Sequence, residues 1–383
     1  MDLKVCLICG NKFDGLSYDK FENICQDCID IITDTVKNEE EYKEEITFGK
    51  NKPLKPHILK KELDKYVIGQ DVVKKKISVE ICNHYKRINY SSKEVELPKN
   101  NILLLGPSGS GKTYILEVLS KLLNVPLVIG DATSLTESGY VGKDVDTLLS
   151  QLIDKAEGDI SLAERGIIYI DEIDKIAISK GDGVSKKVGE DGVQASLLKI
   201  IEGMEYTFEK TGQTINTKNI LFVCGGAFAG ITDIIEKRIC KKSTIGFSVK
   251  NEEEKEKIDK KALLHKVTTD DLVEYGLITE FVGRLHLIAT LDELSEKDLE
   301  RILVEPKNSI IKQYKELFKI DGIDISFEED VLKYIAEMAK KKGTGARGLK
   351  SVISDKLDNL IYEISEKEED IDKYVVTKEY FIS

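Results

Sequence analysis

The spacing of apolar positions changes along the chain, and each change marks an element. Five short apolar runs, Ile102–Leu105, Pro126–Ile129, Ile167–Ile170, Ile220–Val223 and Leu287–Thr290, are too short for helices and too continuous for half-exposed strands. Each predicts a strand buried on both faces. Most are separated by stretches whose apolar residues recur three and four apart, which predict amphipathic helices. Examples run from Asp71 to about Tyr90, over Gln194–Glu202, and near Thr232–Lys237. Strands alternating with helices give a parallel α/β sheet covered on both faces, with ligands at the carboxyl ends of its strands. From Glu293 the pattern becomes helical. Ser295 reads as an N-cap with Asp298 three residues on, and Pro306 fits the first turn of the next helix. Glu328–Lys342 and Arg347–Glu366 predict helices, and Lys373–Ile382 a terminal strand. Residues 36–56 are charged and then Pro-bearing, which predicts a linker. The expected organisation is a small module over 1–35, a linker over 36–56, a large α/β domain over 57–291 and a small, mainly helical domain over 292–383.

Composition narrows the classes. A length of 383 residues suffices for two or three domains, and 41% hydrophobic with 33% charged residues fits a globular chain. A net charge of −12 argues against a chain-wide surface for nucleic acid or anionic membrane. No apolar leader follows Met1 and no run reaches the length of a membrane span, so no membrane partner is expected. Seven cysteines, four of them within the first 28 residues, fit a reducing cytoplasm better than a secreted disulfide framework. Cys6-x₂-Cys9 and Cys25-x₂-Cys28 put four thiolates within reach of one tetrahedral Zn²⁺; two redox pairs or unrelated thiols are the other reading. Four ligands would close the site, which makes its role structural. Leu16, Tyr18, Phe21 and Ile24 either pack around the metal or form a protein-binding or dimer surface.

The chemistry gathers after the predicted strands. Gly106-Pro107-Ser108-Gly109-Ser110-Gly111-Lys112-Thr113 follows a buried strand and opens a helix. This is a phosphate-binding loop in its proper context. Glycines let backbone N–H groups converge on phosphate oxygens, Lys112 supplies a charge, and Thr113 a hydroxyl for Mg²⁺. Asp171 and Glu172 end the third run, where the first would hold the Mg²⁺ shell and the second polarise an attacking water. Ile68, in Tyr66-Val67-Ile68-Gly69-Gln70, either lies against a flat ligand such as adenine or packs at a turn. Gly139-Tyr140-Val141-Gly142 predicts a movable loop with an apolar tip, or an ordinary turn. Ile245-Gly246-Phe247 is either a docking plug or a tucked-in loop anchor. Arg284, before the fifth run, reads as an arginine finger reaching across a subunit boundary or as one half of a surface salt bridge. Arg347 opens a helix after Gly343-Thr344-Gly345 and could fold back onto a γ-phosphate.

In this order and together, these motifs resemble the ClpX family, AAA+ unfoldases that feed the ClpP peptidase. The resemblance runs from Cys6 to the last helix. It implies a P-loop ATPase with ATP and Mg²⁺ held by Lys112, Thr113, Asp171 and Glu172, with Ile68 beside adenine. It implies that Arg284 acts on the neighbouring subunit's nucleotide and that Arg347 senses the γ-phosphate in its own. It further implies a homohexameric ring, with Tyr140 and Val141 lining a pore that grips substrate chains with unstructured tails. Ile245, Gly246 and Phe247 would dock on a ClpP-like peptidase, and the zinc module would take adaptors.

The sequence departs from the family between Gly203 and Thr217. That segment is short, lacks the Arg-Lys-His triplet the family carries at its pore entrance, and offers Glu205, Glu209 and Lys210 instead. The cysteine pairs also lie closer together. The first departure predicts an altered preference for substrate tags with the motor intact, and the second a zinc module whose adaptor surface differs. The competing readings are the same motor as a stand-alone remodelling chaperone, an ATP-gated DNA-processing ring, and a non-hydrolysing nucleotide switch. The acidic balance opposes the second of these, and Glu172 with Arg284 the third. With no Ser/His/Asp arrangement and no His-Glu-x-x-His motif, proteolysis would fall to the partner.

Overall fold

The computed structural model describes residues 3–6, 8, 12–14, 24–25, 28, 53–90, 94–135, 141–178, 190–243, 260–366 and 372–382. The chain divides into two compact units, Met1–Lys55 and Pro56–Ser383. In the first, strands β1 (Leu3–Val5) and β2 (Lys12–Asp14) form an antiparallel hairpin with Leu3 opposite Asp14. Cys6 leaves β1 directly and is buried with Cys25 and Cys28, against which Ile24 packs. Leu16, Tyr18 and Phe21 lie outside the described residues.

The second unit opens with helices α1 (Pro56–Asp64) and α2 (Asp71–Asn89). All five apolar runs then form one parallel sheet. Its strands are β3 (Asn101–Leu105), β4 (Leu127–Asp131), β5 (Ile167–Asp171), β8 (Leu221–Gly226) and β9 (Leu285–Thr290). Their spatial order is β4-β5-β8-β3-β9. Every residue of β3 and β8 is buried, as strands covered on both faces must be. Strand β4 begins one residue later than the apolar run because Pro126 has no N–H; its carbonyl still accepts from Ile167 N–H at 2.9 Å. Strand β9 begins two residues early, since Asn101 pairs with Leu285 through a register shift.

Helices α3 (Lys112–Leu123), α4 (Val141–Lys155), α5 (Ile160–Ala163) and α6 (Glu190–Glu202) cover this sheet with α7 (Ile231–Ser243), α8 (Lys260–Leu264), α9 (Thr269–Tyr275) and α10 (Thr279–Gly283). Leu149 and Leu152 of α4 meet Leu197 and Ile201 of α6 and Ile168 and Phe222 of the sheet in one core. The segment after Gly203, expected only as a polar excursion, is a hairpin of β6 (Glu205–Thr207) and β7 (Thr214–Asn216). Its register is set by Tyr206 opposite buried Ile215, and the Tyr206 hydroxyl donates to Asp146 of α4.

A second core begins at Leu294. It is built by α11 (Glu296–Val304), α12 (Ile310–Ile320), β10 (Asp324–Phe327), α13 (Glu329–Lys341), α14 (Ala346–Ser365), β11 (Lys373–Val376) and α15 (Lys378–Ile382). Ser295 caps α11 as expected, in a reciprocal box with Asp298 at 3.1 and 3.0 Å. Pro306 does not open the next helix. It lies in the preceding turn, and Ser309 caps α12 by accepting the Lys312 N–H. The terminal strand is shorter than expected: it stops at Val376, pairs in parallel with β10, and gives way to α15, which buries Phe381.

Candidate active site

The loop between β3 and α3 is shaped by glycine. Gly109 (φ 73°) and Gly111 (φ 100°) are left-handed, and Gly111 is the N-cap of α3. A Cβ at Gly109 would strike the Thr344 carbonyl, so the backbone before α14 lies directly on the loop. The Ala346 N–H donates to the Gly109 carbonyl at 3.2 Å. Lys112 is buried and its Nζ donates to the carbonyls of Gly106 (2.7 Å) and Pro107 (3.1 Å). Burial lowers its pKa, Asp171 and Asp174 oppose that, and the charge of Arg347 adds to it. Ser110 Oγ is buried with no protein partner. An amine held at the loop's floor, an unpaired hydroxyl and the exposed N–H groups of a helix start are what a phosphate chain needs. Gly106 to Thr113 therefore fit the nucleotide the sequence predicts.

Strand β5 carries the two acids to the same edge. The Tyr169 hydroxyl and the Glu172 backbone N–H both donate to Asp171 Oδ1 at 2.9 Å, which fixes the carboxylate. Burial and the neighbouring Asp171 charge hold the Tyr169 phenol protonated far above its usual range. Glu172 is exposed and left-handed (φ 56°), a conformation costly for a side chain with a Cβ and concentrated at functional sites. Asp174, to which the sequence assigned no role, is buried and accepts the Ala227 N–H at 3.2 Å, tying the end of β8 to this edge.

Ile68 is buried in the turn between α1 and α2. The buried Lys74 amine fixes that turn by donating to the Val67 carbonyl at 3.0 Å while pairing with Asp64 at 2.6 Å. Gln70, two residues beyond Ile68, donates to the Ser110 carbonyl at 3.4 Å and exchanges two hydrogen bonds with the Asp292 backbone. Nothing local in the sequence marks this contact, which spans 222 positions. Arg347 stands in the first turn of α14, beside the Gly345–Ala346 backbone that contacts Gly109.

Arg284 is not brought to this group. Asn101, at the start of β3, donates to its carbonyl at 3.1 Å, whereas the P-loop follows the strand's far end. Five residues of strand separate the two by about 16 Å. The guanidinium pairs with Glu202 at 2.7 Å and lines a polar cavity of about 410 Å³ with Arg87, Lys99 and His286. Gly139 and Tyr140 lie outside the described residues. Val141 and Gly142 open α4, so the predicted loop is already helical at its second half. Ile245, Gly246 and Phe247 also lie outside the described residues.

In the N-terminal unit, the sulfurs of Cys6, Cys25 and Cys28 lie within 4.8 Å of one another. Tetrahedral thiolates at about 2.3 Å from Zn²⁺ stand at such separations. The Cys25 N–H donates to Cys6 Sγ at 3.3 Å, an outer bond that suits a ligating thiolate. Three of the four predicted ligands thus fit the metal; Cys9 lies outside the described residues. Among the described residues, no helix is long and apolar enough to cross a membrane.

Comparison with known proteins places these features in a family. Residues 97–288 match the model of the AAA domain (Cdc48 subfamily), and residues 294–376 that of the C-terminal, D2-small domain of ClpB protein. The chain is 48% identical over 371 residues to the ATP-dependent Clp protease ATP-binding subunit ClpX of Borrelia duttonii (strain Ly), covering 93% of this chain and 85% of the relative. The protein of the same name from Borrelia recurrentis (strain A1) matches with the same identity and coverage. The AAA domain and the likeness to ClpX make the chain an ATPase. The chain belongs to the ClpX family of AAA+ ATPases.

Proposed function

We propose that this chain is the ATP-driven motor of a homohexameric ring, which unfolds proteins with unstructured tails and threads them to a ClpP-like peptidase. The observation that carries this reading is the likeness, over 93% of the chain, to proteins named as the ATP-binding subunit of the Clp protease. The geometry supports the division of labour. Lys112 and the loop N–H groups bind the phosphates, and Ile68 sits beside the base. Thr113 and Asp171 would hold Mg²⁺, which when bound neutralises charge on the β- and γ-phosphate oxygens. Glu172 takes a proton from the attacking water. Arg347, on the small domain, answers to the γ-phosphate, so hydrolysis changes what holds the two domains together. Arg284 is too far from its own loop and serves the next subunit. Tyr140 and Val141 grip the substrate chain, Ile245–Phe247 contact the peptidase, and Cys6, Cys9, Cys25 and Cys28 hold Zn²⁺ in a module that takes adaptors.

The test pairs two variants in the full chain. Glu172→Gln is expected to bind ATP normally and hydrolyse it at least about 100-fold more slowly, with unfolding lost. Phe247→Ala is expected to unfold tagged proteins at the wild-type rate while losing ATP-dependent degradation by added peptidase. Undiminished degradation by Phe247→Ala would remove the docking role. Peptidase that never responds to the wild type would favour the stand-alone chaperone.

A further inference from the structure

The turn that carries Ile68 ends at Gln70, whose side chain reaches the point where the chain leaves the large domain. Its carboxamide oxygen accepts the Asp292 N–H at 3.0 Å, and its nitrogen donates to the Asp292 carbonyl at 2.8 Å. One side chain thereby makes the pair of bonds that a neighbouring strand would make. The same nitrogen lies 3.4 Å from the Ser110 carbonyl of the phosphate loop. Gln70 is left-handed at φ 56°, which a residue with a Cβ rarely adopts without constraint from its surroundings.

The segment after β9 is tied residue by residue. Thr290 Oγ1 meets His265 Nδ1 at 2.6 Å, and the Leu291 N–H donates to the Leu105 carbonyl at 2.6 Å. The Asp292 carboxylate meets His265 Nε2 at 2.9 Å. Beyond it the partner changes: Glu293 pairs with Lys340 of α13, and Lys340 also donates to the Leu294 carbonyl at 3.2 Å. Through Asp292 these ties are to the large domain, and at Glu293 and Leu294 they pass to Lys340 of the small one. Farther along, the Lys307 N–H donates to the Lys65 carbonyl at 2.7 Å and the Ala346 N–H to the Gly109 carbonyl at 3.2 Å, so the small domain also rests on the large one at two other points. The chain crosses from one domain to the other between Asp292 and Glu293, which makes that link the candidate pivot. Gln70 touches the large-domain side of that pivot and the phosphate loop at once.

We propose that Gln70 is the positioning residue through which the nucleotide sets the angle of the small domain. Both of its amide ends are committed, so a phosphate loop that shifts on binding takes Asp292 with it or breaks a hydrogen bond. The inference rests on the nucleotide site proposed above.

The experiment uses the full-length protein with a fluorescence donor at Lys121 and an acceptor at Tyr362, both exposed and on different domains. A slowly hydrolysed fluorescent ATP analogue reports binding separately. In the wild type, the analogue is expected to change energy transfer between the dyes. Gln70→Ala is expected to bind the analogue less than about ten-fold more weakly, yet to lose at least half of that change at saturation. It should also consume several-fold more ATP per protein unfolded. Asp292→Ala keeps the backbone groups that Gln70 holds and is expected to retain the full change, which separates this role from general loosening of the pivot. A full transfer change in saturated Gln70→Ala would overturn the inference while leaving the nucleotide site standing. Failure of the wild type to bind the analogue would overturn both.

Discussion

Asp171 does not hold its orientation alone. The Tyr169 hydroxyl and the Glu172 N–H converge on one carboxylate oxygen, and the proposed Mg²⁺ would take the other. Tyr169→Phe removes the first donor and nothing from the fold's surface, since the ring is fully buried. Outer hydrogen bonds of this kind are worth about 10–100-fold in metal affinity or activity. The variant is expected to need about ten-fold more Mg²⁺ for half-maximal ATPase, with its maximal rate less affected. A magnesium titration superimposable on the wild type would show that Tyr169 serves packing alone. The residues proposed to touch nucleotide were legible in the sequence because they stand next to one another: Gly106 to Thr113, then Asp171 and Glu172. Tyr169, Asp174 and Gln70 were not. Tyr169 and Asp174 lie inside a run that reads simply as a strand end, and Gln70 acquires its partner only when Asp292 folds back beside it.

At the scale of elements, helix α2 docks on the turn before β8 through His84. The ring is buried, its Nε2 faces the Asn219 carbonyl at 3.1 Å, and its Nδ1 has no partner. Nε2 must carry the proton to meet a carbonyl, so a second proton on Nδ1 would be buried without an acceptor. Burial, with the charges of Arg87 and Lys99, pushes the His84 pKa down to about 3. Below pH 6.5 the unfolded chain binds a proton that the folded one refuses. The contribution of His84 is therefore complete above that value, and falls by about 1.4 kcal/mol per pH unit as the pH drops towards the folded value. Chemical denaturation should show a shallower loss of stability below pH 6.5 in His84→Gln than in the wild type. Equal slopes would place the acid sensitivity elsewhere. The five sheet strands were legible because both faces of a parallel sheet are apolar. Hairpin β6–β7 was not, because its strands are three residues each and only Ile215 is buried. Pro306 was misplaced because proline suits a turn as well as a first helical turn; the Ser309 cap decided between them.

At the scale of the whole molecule, the proposed arginine finger requires a second copy. Arg284 lies at the amino ends of the strands and the phosphate loop at their carboxyl ends, so a finger at Arg284 would act between copies arranged head to tail. Homogeneous rings of Arg284→Ala or Glu172→Gln should each be inactive. Mixing them at equal ratio should restore about a quarter of the wild-type ATPase, because that share of interfaces joins an intact Glu172 to an intact Arg284. An arginine acting within its own subunit would give no recovery. Sequence could propose this geometry but not establish it, since one residue before a strand looks the same whether it faces a neighbour or solvent. The most direct test of the motor itself follows a stably folded fluorescent protein bearing unstructured tails of varied sequence. ATP and a trap for unfolded chains are present, and wild type is compared with Tyr140→Ala. Loss of fluorescence that requires ATP and the wild-type tyrosine is the predicted result, and the most effective tail would show what the Glu205–Asn216 hairpin selects. Vigorous ATP hydrolysis with no loss of fluorescence for any tail would contradict a threading motor.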